Sequence, residues 1–469
     1  MKFLLVGSGI TNVTLGKLAS EKSHDVVIID RKDHIGGNCF DYFDENSIDI
    51  HAYGTHIFHT DEAEVWRFLS QFTQWYPYQH EVKALVDGQL VPVPFNFNSI
   101  EQLFPKQMAE RMIAALLSEF AFNKKVPILK LRESKNPDLQ FLADYVYEKI
   151  FLHYTEKQWD VRPEDLDPLV TGRVPVFVGR DNRYFQAKYQ GIPLEGYTRM
   201  FEKMIDHPNI EVRLNTEFDK AMLDEYDHCF FSGAIDEFFD YKFGQLPYRS
   251  LRFDFLTFNR PYFQSNSVVN YPNNYDFTRI GEYKYFLDTQ SPNTVVSYEY
   301  PEPFVLGKNE RYYPIINEEN KALYERYLEE AKANKKVTFL GRLGDYKYYD
   351  MDQVIAAALN GGVDLVITIG VIQVLNGDLD VGIFCVEAGD QLLHSLVLAP
   401  AADGVCPQLD VSASCGACRC RSCSGGSSSA AGGAAAACGQ CTGCTQGTHG
   451  LQERAARDTI FHKKLLLTH

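Results

Sequence analysis

The chain has 469 residues, with 62 acidic against 46 basic side chains and a formal net charge of −16. That length leaves room for two or three domains with cores of their own. The acidic balance argues against a nucleic-acid or anionic-membrane surface, so an anionic substrate would have to be held by a few individual arginines.

Taken in order, Phe3-Leu4-Leu5-Val6 is an apolar run that breaks into Gly7-Ser8-Gly9. It is too short for a secretory leader and reads as a first strand. A second buried-strand run, Val26–Ile29, ends in Asp30-Arg31. Strand, glycine turn, helix, strand and acid are the parts of a dinucleotide-binding βαβ unit. Glycines let backbone N–H groups approach a pyrophosphate at a helix N-terminus, and the acid takes a ribose diol. The third glycine of that fingerprint is replaced by Asn12, which bears on helix–strand packing more than on phosphate contact. A second pair, Gly36-Gly37 followed by Asn38, offers a further set of backbone donors and suits FAD, whose pyrophosphate and ribityl chain reach past the first turn.

Beyond the segment His51–Thr60, Thr60 is expected to cap a helix whose apolar face is Val65, Phe68, Leu69 and Phe72. Asp87-Gly88 between two apolar runs signals a hairpin. Ser99-Ile100-Glu101-Gln102 reads as a capping box opening a helical region that runs to about Trp159, with Leu139, Leu142, Val146 and Ile150 as a core stripe. Strands follow: Ile210, Val212 and Leu214 alternate, as do Leu251, Phe253 and Phe255, and Val337–Leu340 is a further run. Asp350 then caps a helix through Val354, Ile355 and Leu359.

Several motifs stand together in residues 1 to about 360: His34–Asn38, Tyr53–Thr60, Tyr154-Thr155-Glu156-Lys157-Gln158-Trp159, Tyr189–Pro193, Phe239–Gly244, Tyr248–Leu251 and Tyr346–Met351. In these the chain resembles the bacterial UDP-galactopyranose mutases. The resemblance implies an α/β fold with a discontinuous Rossmann-like FAD-binding domain (1–80, 190–245 and 315–362), a helical domain (81–160) and an antiparallel β-sheet domain (161–189 and 246–314). It implies interconversion of UDP-galactopyranose and UDP-galactofuranose, a supply of galactofuranose for cell-surface glycans. The reaction would use reduced FAD, with flavin N5 as nucleophile at the anomeric carbon, then ring opening and reclosure without net redox change. It further implies a cytoplasmic homodimer without membrane insertion, acting on a UDP-sugar.

Site residues carry over by the same resemblance. Arg173 and Arg279 match the arginines that face the diphosphate, a task the planar guanidinium suits. Arg249 matches a more variable arginine, and His56 a histidine beside the flavin. Phe151, Tyr154, Thr155 and Trp159 match the uridine site; Tyr184, Tyr313, Tyr348 and Asn270 match the diphosphate and sugar contacts. Gly7, Gly9, Asp30, Arg31, Gly36, Gly37, Asn38, Gly341, Arg342, Asp350 and Met351 are expected around the cofactor. The helix N-terminus at Asp350-Met351 would stabilise negative charge on a reduced flavin by roughly 0.3–1 kcal/mol. Leu340 stands where the family has a glycine, and Gly281 and Tyr283 also depart from its pattern.

Two other readings are weighed: an FAD oxidoreductase of the amine-oxidase type, which needs neither Arg173 nor Arg279, and a mutase for a related nucleotide sugar. Residues 363–469 match nothing in the family. Cys415-x2-Cys418, Cys420-x2-Cys423 and Cys438-x2-Cys441-x2-Cys444 have zinc-ligand spacing, but the Ser/Gly/Ala spacer offers no core. The segment is read as a low-complexity Cys-rich extension, with disorder or a non-native origin set against a zinc fold, and no metal is assigned.

Overall fold

A computed structural model describes residues 1–165 and 175–360. Arg173 and the Cys-rich extension, with its zinc-like spacing, lie outside the described residues.

The runs Phe3–Val6 and Val26–Ile29 are continuous rather than alternating because they form strands covered on both faces. A five-stranded parallel sheet runs in the order Ile210–Arg213, Asp25–Ile29, Lys2–Val6, His228–Phe231, Val337–Phe339. Phe3, Leu5, Val26, Ile28 and Phe230 pack on one face with Leu15 and Ala19 of the helix Ile10–Glu21. Leu4, Val27, Ile29 and Phe231 pack on the other with Ile235, Phe238 and Tyr327. Each fully buried side chain of this size contributes about 1.5–3 kcal/mol. The strand order reverses beside Lys2–Val6, so the crevice at its C-terminal end is the switch point where open α/β sheets bind ligands.

Asn12 resolves its own oddity. It is fully buried, and its Nδ2 donates to the carbonyls of Val6 and Gly7, both at 2.9 Å, pinning the turn from behind. Close helix–strand packing falls instead to Gly16, where a Cβ would come within 3.2 Å of Ile28 Cδ1.

The second sheet has seven strands: Tyr313–Pro314, Tyr248–Phe258, Thr294–Pro303, Arg279–Glu282, Val268–Asn270, Val82–Val86 and Gln89–Val93. Two expectations are corrected here. The Asp87-Gly88 hairpin forms, with φ of 47° and 81°, but its strands join this sheet rather than the helical domain begun at 81. Val82–Ala84 pair with Val268–Asn270 in parallel, so the sheet is mixed rather than purely antiparallel.

Helix starts shift as well. The capping box is built by Asn96 with Ser99, three residues before the expected position, because Asn96 accepts from the amides of Asn98 and Ser99. Thr60 is not the cap of the next helix: Ala63–Leu69 begins after Glu62, whose amide donates to Thr60 Oγ1. Leu139, Leu142, Val146 and Ile150 are buried in the helical core as expected.

Candidate active site

The glycine turns, the residues after Val337–Phe339 and the N-terminus of the 351–360 helix meet around a cavity of 570 Å³. Its lining includes all eleven residues expected around the cofactor: Gly7, Gly9, Asp30, Arg31, Gly36, Gly37, Asn38, Gly341, Arg342, Asp350 and Met351, together with His56. Gly7, Gly36, Gly37 and Gly341 have φ between 56° and 95°, which side chains with a Cβ adopt only at a cost. Gly37 lies against Gly9, where a Cβ would sit 3.2 Å from the Gly9 Cα, so the two glycine turns form one continuous cradle. Leu340 fits because its backbone is extended; only Gly341 needs the left-handed region. Asp30 Oδ2 accepts from the amide and hydroxyl of Ser8, both at 2.7 Å, which fixes the carboxylate at the cavity wall. Arg31 is paired with Glu310 at 3.2 Å and with Glu237 at 3.7 Å. At the far end the amide of Val354 donates to the Asp350 carbonyl, and Gln353 Oε1 accepts from the Asp350 amide. A cradle of bare backbone beside a helix N-terminus and an acid is the donor set that a dinucleotide's pyrophosphate and ribose require. The residues present fit FAD.

Arg342 joins this cavity to a second cluster. Its guanidinium donates to the carbonyl of Tyr349 at 2.9 Å and stands 5.6 Å from the Tyr313 ring and 5.7 Å from that of Tyr348. Tyr313 and Tyr348 are stacked, and Trp159 leans on both. Trp159 closes the helix His153–Trp159, which follows the helix Pro137–Val146 through a π-helical stretch, Tyr147–Leu152. Phe151 lies within that stretch and packs in the helical core with Val146 and Ile150, whereas the widened turn rotates the residues after it, and Thr155 and Trp159 are buried beyond it.

Arg279 reaches into the same cleft. Its Nη2 donates to Tyr154 Oη at 2.7 Å, and its Nε lies 3.1 Å from Glu299 Oε1. Asn270 is opposite Arg279 in the sheet register, and its Oδ1 is buried without a hydrogen-bond partner among the described residues. Tyr184 packs edge-on to His80. Arg249 behaves differently: it is 5% exposed and donates to the carbonyls of Gln158 (3.0 Å) and Lys157 (3.2 Å). It closes the end of the helix bearing Tyr154 and Trp159, satisfying carbonyls that a helix terminus leaves open.

Three residues that sequence reasoning passed over belong to this region. Glu299 is ion-paired with Arg279, across 3.1 Å but without the alignment of a hydrogen bond. Lys157 Nζ donates to the carbonyls of Tyr271, Tyr275 and Phe277, tying the helix of Trp159 to the loop between Asn270 and Arg279. His80 is buried beside Arg279. None carried a spacing signal: an acid within a tyrosine-rich strand and a lysine on a helix read as solvated charges.

Loss of solvation holds His56 and His80 at about 3, and His228 at about 4. An unfolded histidine takes up its proton near 6.5. The unfolded chain therefore binds more protons than the folded one between these values, and stability falls as pH drops through that window. Each ring contributes a slope approaching about 1.4 kcal/mol per pH unit. Burial raises the Asp345 carboxyl to about 6, which works in the opposite sense and offsets about one ring below pH 6. Urea midpoints should therefore fall most clearly between pH 7 and 6; no fall there would contradict neutral burial of the three rings.

Comparison with known proteins agrees with this arrangement. The family model for UDP-galactopyranose mutase matches residues 149–348, and that for the NAD(P)-binding Rossmann-like domain matches residues 5–72. The chain is 40% identical over 360 residues to a probable UDP-galactopyranose mutase of Klebsiella pneumoniae, covering 76% of this chain and 92% of that protein. It is 35% identical over 366 residues to a dTDP-fucopyranose mutase of Escherichia coli, covering 76% of this chain and 96% of that protein. The fold is shared with a crystal structure of reduced UDP-galactopyranose mutase at a TM-score of 0.60 and 15% identity, over 79% of this chain and 94% of that one. With a relative of this identity spanned almost whole, and with the dinucleotide cradle and arginine–tyrosine cleft joined through Arg342, the chain belongs to the UDP-galactopyranose mutase family.

Proposed function

We propose that this chain interconverts UDP-galactopyranose and UDP-galactofuranose on FAD held in the cradle of Gly7, Gly9, Gly36 and Gly37. The observation that carries the reading is the Arg342 bridge: one guanidinium lines the cofactor cavity and stands over the Tyr313–Tyr348 stack. A sugar bound against those phenols would therefore lie at the edge of the flavin site. When bound and reduced, FAD supplies the nucleophile for the anomeric carbon.

The chain's own residues do the rest. Phe151, Tyr154, Thr155 and Trp159 would bind the uridine by stacking and polar contacts. Arg279 and Arg173 would take the charge of the departing diphosphate, with Tyr184, Tyr313 and Tyr348 donating to its oxygens. Asn270 would use its free Oδ1 on a sugar hydroxyl. Arg249, already committed to helix carbonyls, serves position rather than substrate contact. The helix beginning after Asp350 places its positive end at the cavity, which favours an anionic reduced ring. We propose a homodimer as the assembly.

The relatives include a mutase named for a dTDP-sugar, so nucleotide and sugar are both to be tested. Dithionite-treated protein is incubated with UDP-galactofuranose or dTDP-fucopyranose and the products are separated by chromatography. Turnover of the UDP-sugar only when the flavin is reduced, with no stoichiometric use of oxygen or NADH, is the expected result. Stoichiometric oxygen consumption would favour an oxidoreductase, and exclusive turnover of the dTDP-sugar would reassign the substrate.

A further inference from the structure

Behind the flavin cavity, Asp41, Asp49 and His51 are buried together, each with a ligand-type atom within 4.8 Å of the others. The grouping has the composition of a metal site, but its hydrogen bonds exclude one. The backbone amide of His56 donates to His51 Nδ1 at 2.9 Å, so that nitrogen carries no proton. The proton of the neutral ring then sits on Nε2, which has no lone pair left for a cation. Asp41 is also committed, its carboxylate accepting from the amides of Tyr197 and Thr198.

Asp49 is the residue without an assigned task. It is 1% exposed, and neither carboxylate oxygen has a hydrogen-bond partner among the described residues. Its Oδ2 lies 3.5 Å from His51 Nε2, which is likewise unpartnered. A buried carboxylate is costly unless it faces a donor, and the donor it faces is the His51 Nε2–H, the tautomer that the His56 amide and the Asp49 carboxylate favour together. The His51 ring is fixed further by stacking on Phe286, and its carbonyl by the Tyr283 hydroxyl at 3.2 Å. Tyr283 is one of the departures from the family pattern. Gly281 is another, and it makes room for the loop: a Cβ there would approach Thr55 Cγ2 to 2.8 Å.

The chain of contacts ends at the cofactor cavity. His56 Nδ1 donates to the Gly54 carbonyl at 2.7 Å, because a carbonyl can only accept. This leaves Nε2 as the acceptor of a side chain that lines the cavity. We propose that Asp49 and His51 are positioning residues for His56. Asp49 holds His51 in its Nε2–H tautomer, His51 Nδ1 fixes the His56 backbone, and His56 Nε2 is thereby kept as a hydrogen-bond acceptor toward the flavin site. An isoalloxazine carries an N–H at N5 only in its reduced form, so such an acceptor favours the reduced coenzyme on which the reaction depends. The inference rests on the flavin reading of that cavity.

The test begins with long-range proton–nitrogen spectra of the imidazoles in the full chain, first stripped of flavin and then reloaded, with assignments from His51→Gln and His56→Gln. Protons on Nε2 of His51 and on Nδ1 of His56 are expected in both preparations. A proton on Nδ1 of His51, or a doubly protonated ring, overturns the proposal. In Asp49→Leu the His51 tautomer should become mixed, and the preference for reduced over oxidised flavin should fall about tenfold. For a two-electron couple that lowers the midpoint potential by about 30 mV. UDP affinity should not change, and Asp49→Asn, which keeps an oxygen acceptor, should restore the potential. An unchanged potential in Asp49→Leu also overturns the proposal. Should Asp49→Leu not fold, the tautomers of the unmodified chain decide. A chain that takes up no flavin at all would sink the functional reading instead, while the tautomers measured without cofactor still test the pair.

Discussion

Arg279→Ala should retain bound flavin and lose turnover by about 10²–10³, the loss seen when one preorganised donor to developing charge is removed. The guanidinium is held in place by a hydrogen bond to Tyr154 Oη at 2.7 Å and by the charge of Glu299 at 3.1 Å, so it needs little reorganisation when a diphosphate takes up negative charge. Because that charge grows as the sugar–oxygen bond breaks, the effect should fall on kcat more than on KM. Arg279→Lys keeps the charge but not the fork and should recover only part of the rate. Glu299→Gln separates the two contributions: the arginine remains but loses its partner, so an intermediate loss is expected. Steady-state rates of the reduced protein, with flavin content measured by absorbance, check the series. An unchanged kcat in Arg279→Ala would remove this residue from the chemistry.

What could be read beforehand was whatever depends on neighbours in sequence. Phe3–Val6 and Val26–Ile29 announce strands covered on both sides because a parallel sheet leaves no wet face to alternate with. Asp87-Gly88 announces its hairpin because both residues sit at positive φ, which these residue types tolerate. The cofactor residues could be placed for a similar reason: a cradle made of backbone advertises itself through the glycines it requires.

What stayed hidden depends on distant pairing. That Val82 would pair with Val268 leaves no trace in either segment, so the hairpin was grouped with the helices that follow it. The capping box starts at Asn96 rather than Ser99, with Ser99 serving as its third helical residue. Arg249, expected only as a variable substrate-side arginine, closes the carbonyls of a helix far from it in the chain. Glu299 gave no signal because its partner, Arg279, is met only across the sheet register. The π-helical stretch at Tyr147–Leu152 is the same kind of case. It looks like ordinary helix in sequence, yet its wider turn rotates the residues that follow, Trp159 among them.

Gly9→Val should leave the fold intact and abolish flavin binding. Gly9 has φ −70° and ψ 172°, extended backbone that valine adopts without strain. A Cβ built there meets nothing within 4 Å, so the folded chain itself has no objection to a side chain. As a helix N-cap with no side-chain hydrogen bond, the position should also cost little, about 1 kcal/mol or less. The open space is the cofactor cavity, where the pyrophosphate would press against bare backbone. A branched side chain would occupy that approach and separate the ligand from the turn's N–H donors. The expected loss of affinity is at least about 100-fold, equivalent to roughly 2.7 kcal/mol. The purified variant should come out colourless, with a urea midpoint close to that of the unmodified chain without flavin. Gly88→Val is the converse control: at φ 81° in the hairpin turn a valine is strained, so its urea midpoint should fall while the flavin content of the folded chain should not change. A yellow Gly9→Val protein with normal stability would mean that the cradle does not hold the coenzyme. The Arg342 bridge would then join the sugar cleft to an empty wall rather than to the reacting ring.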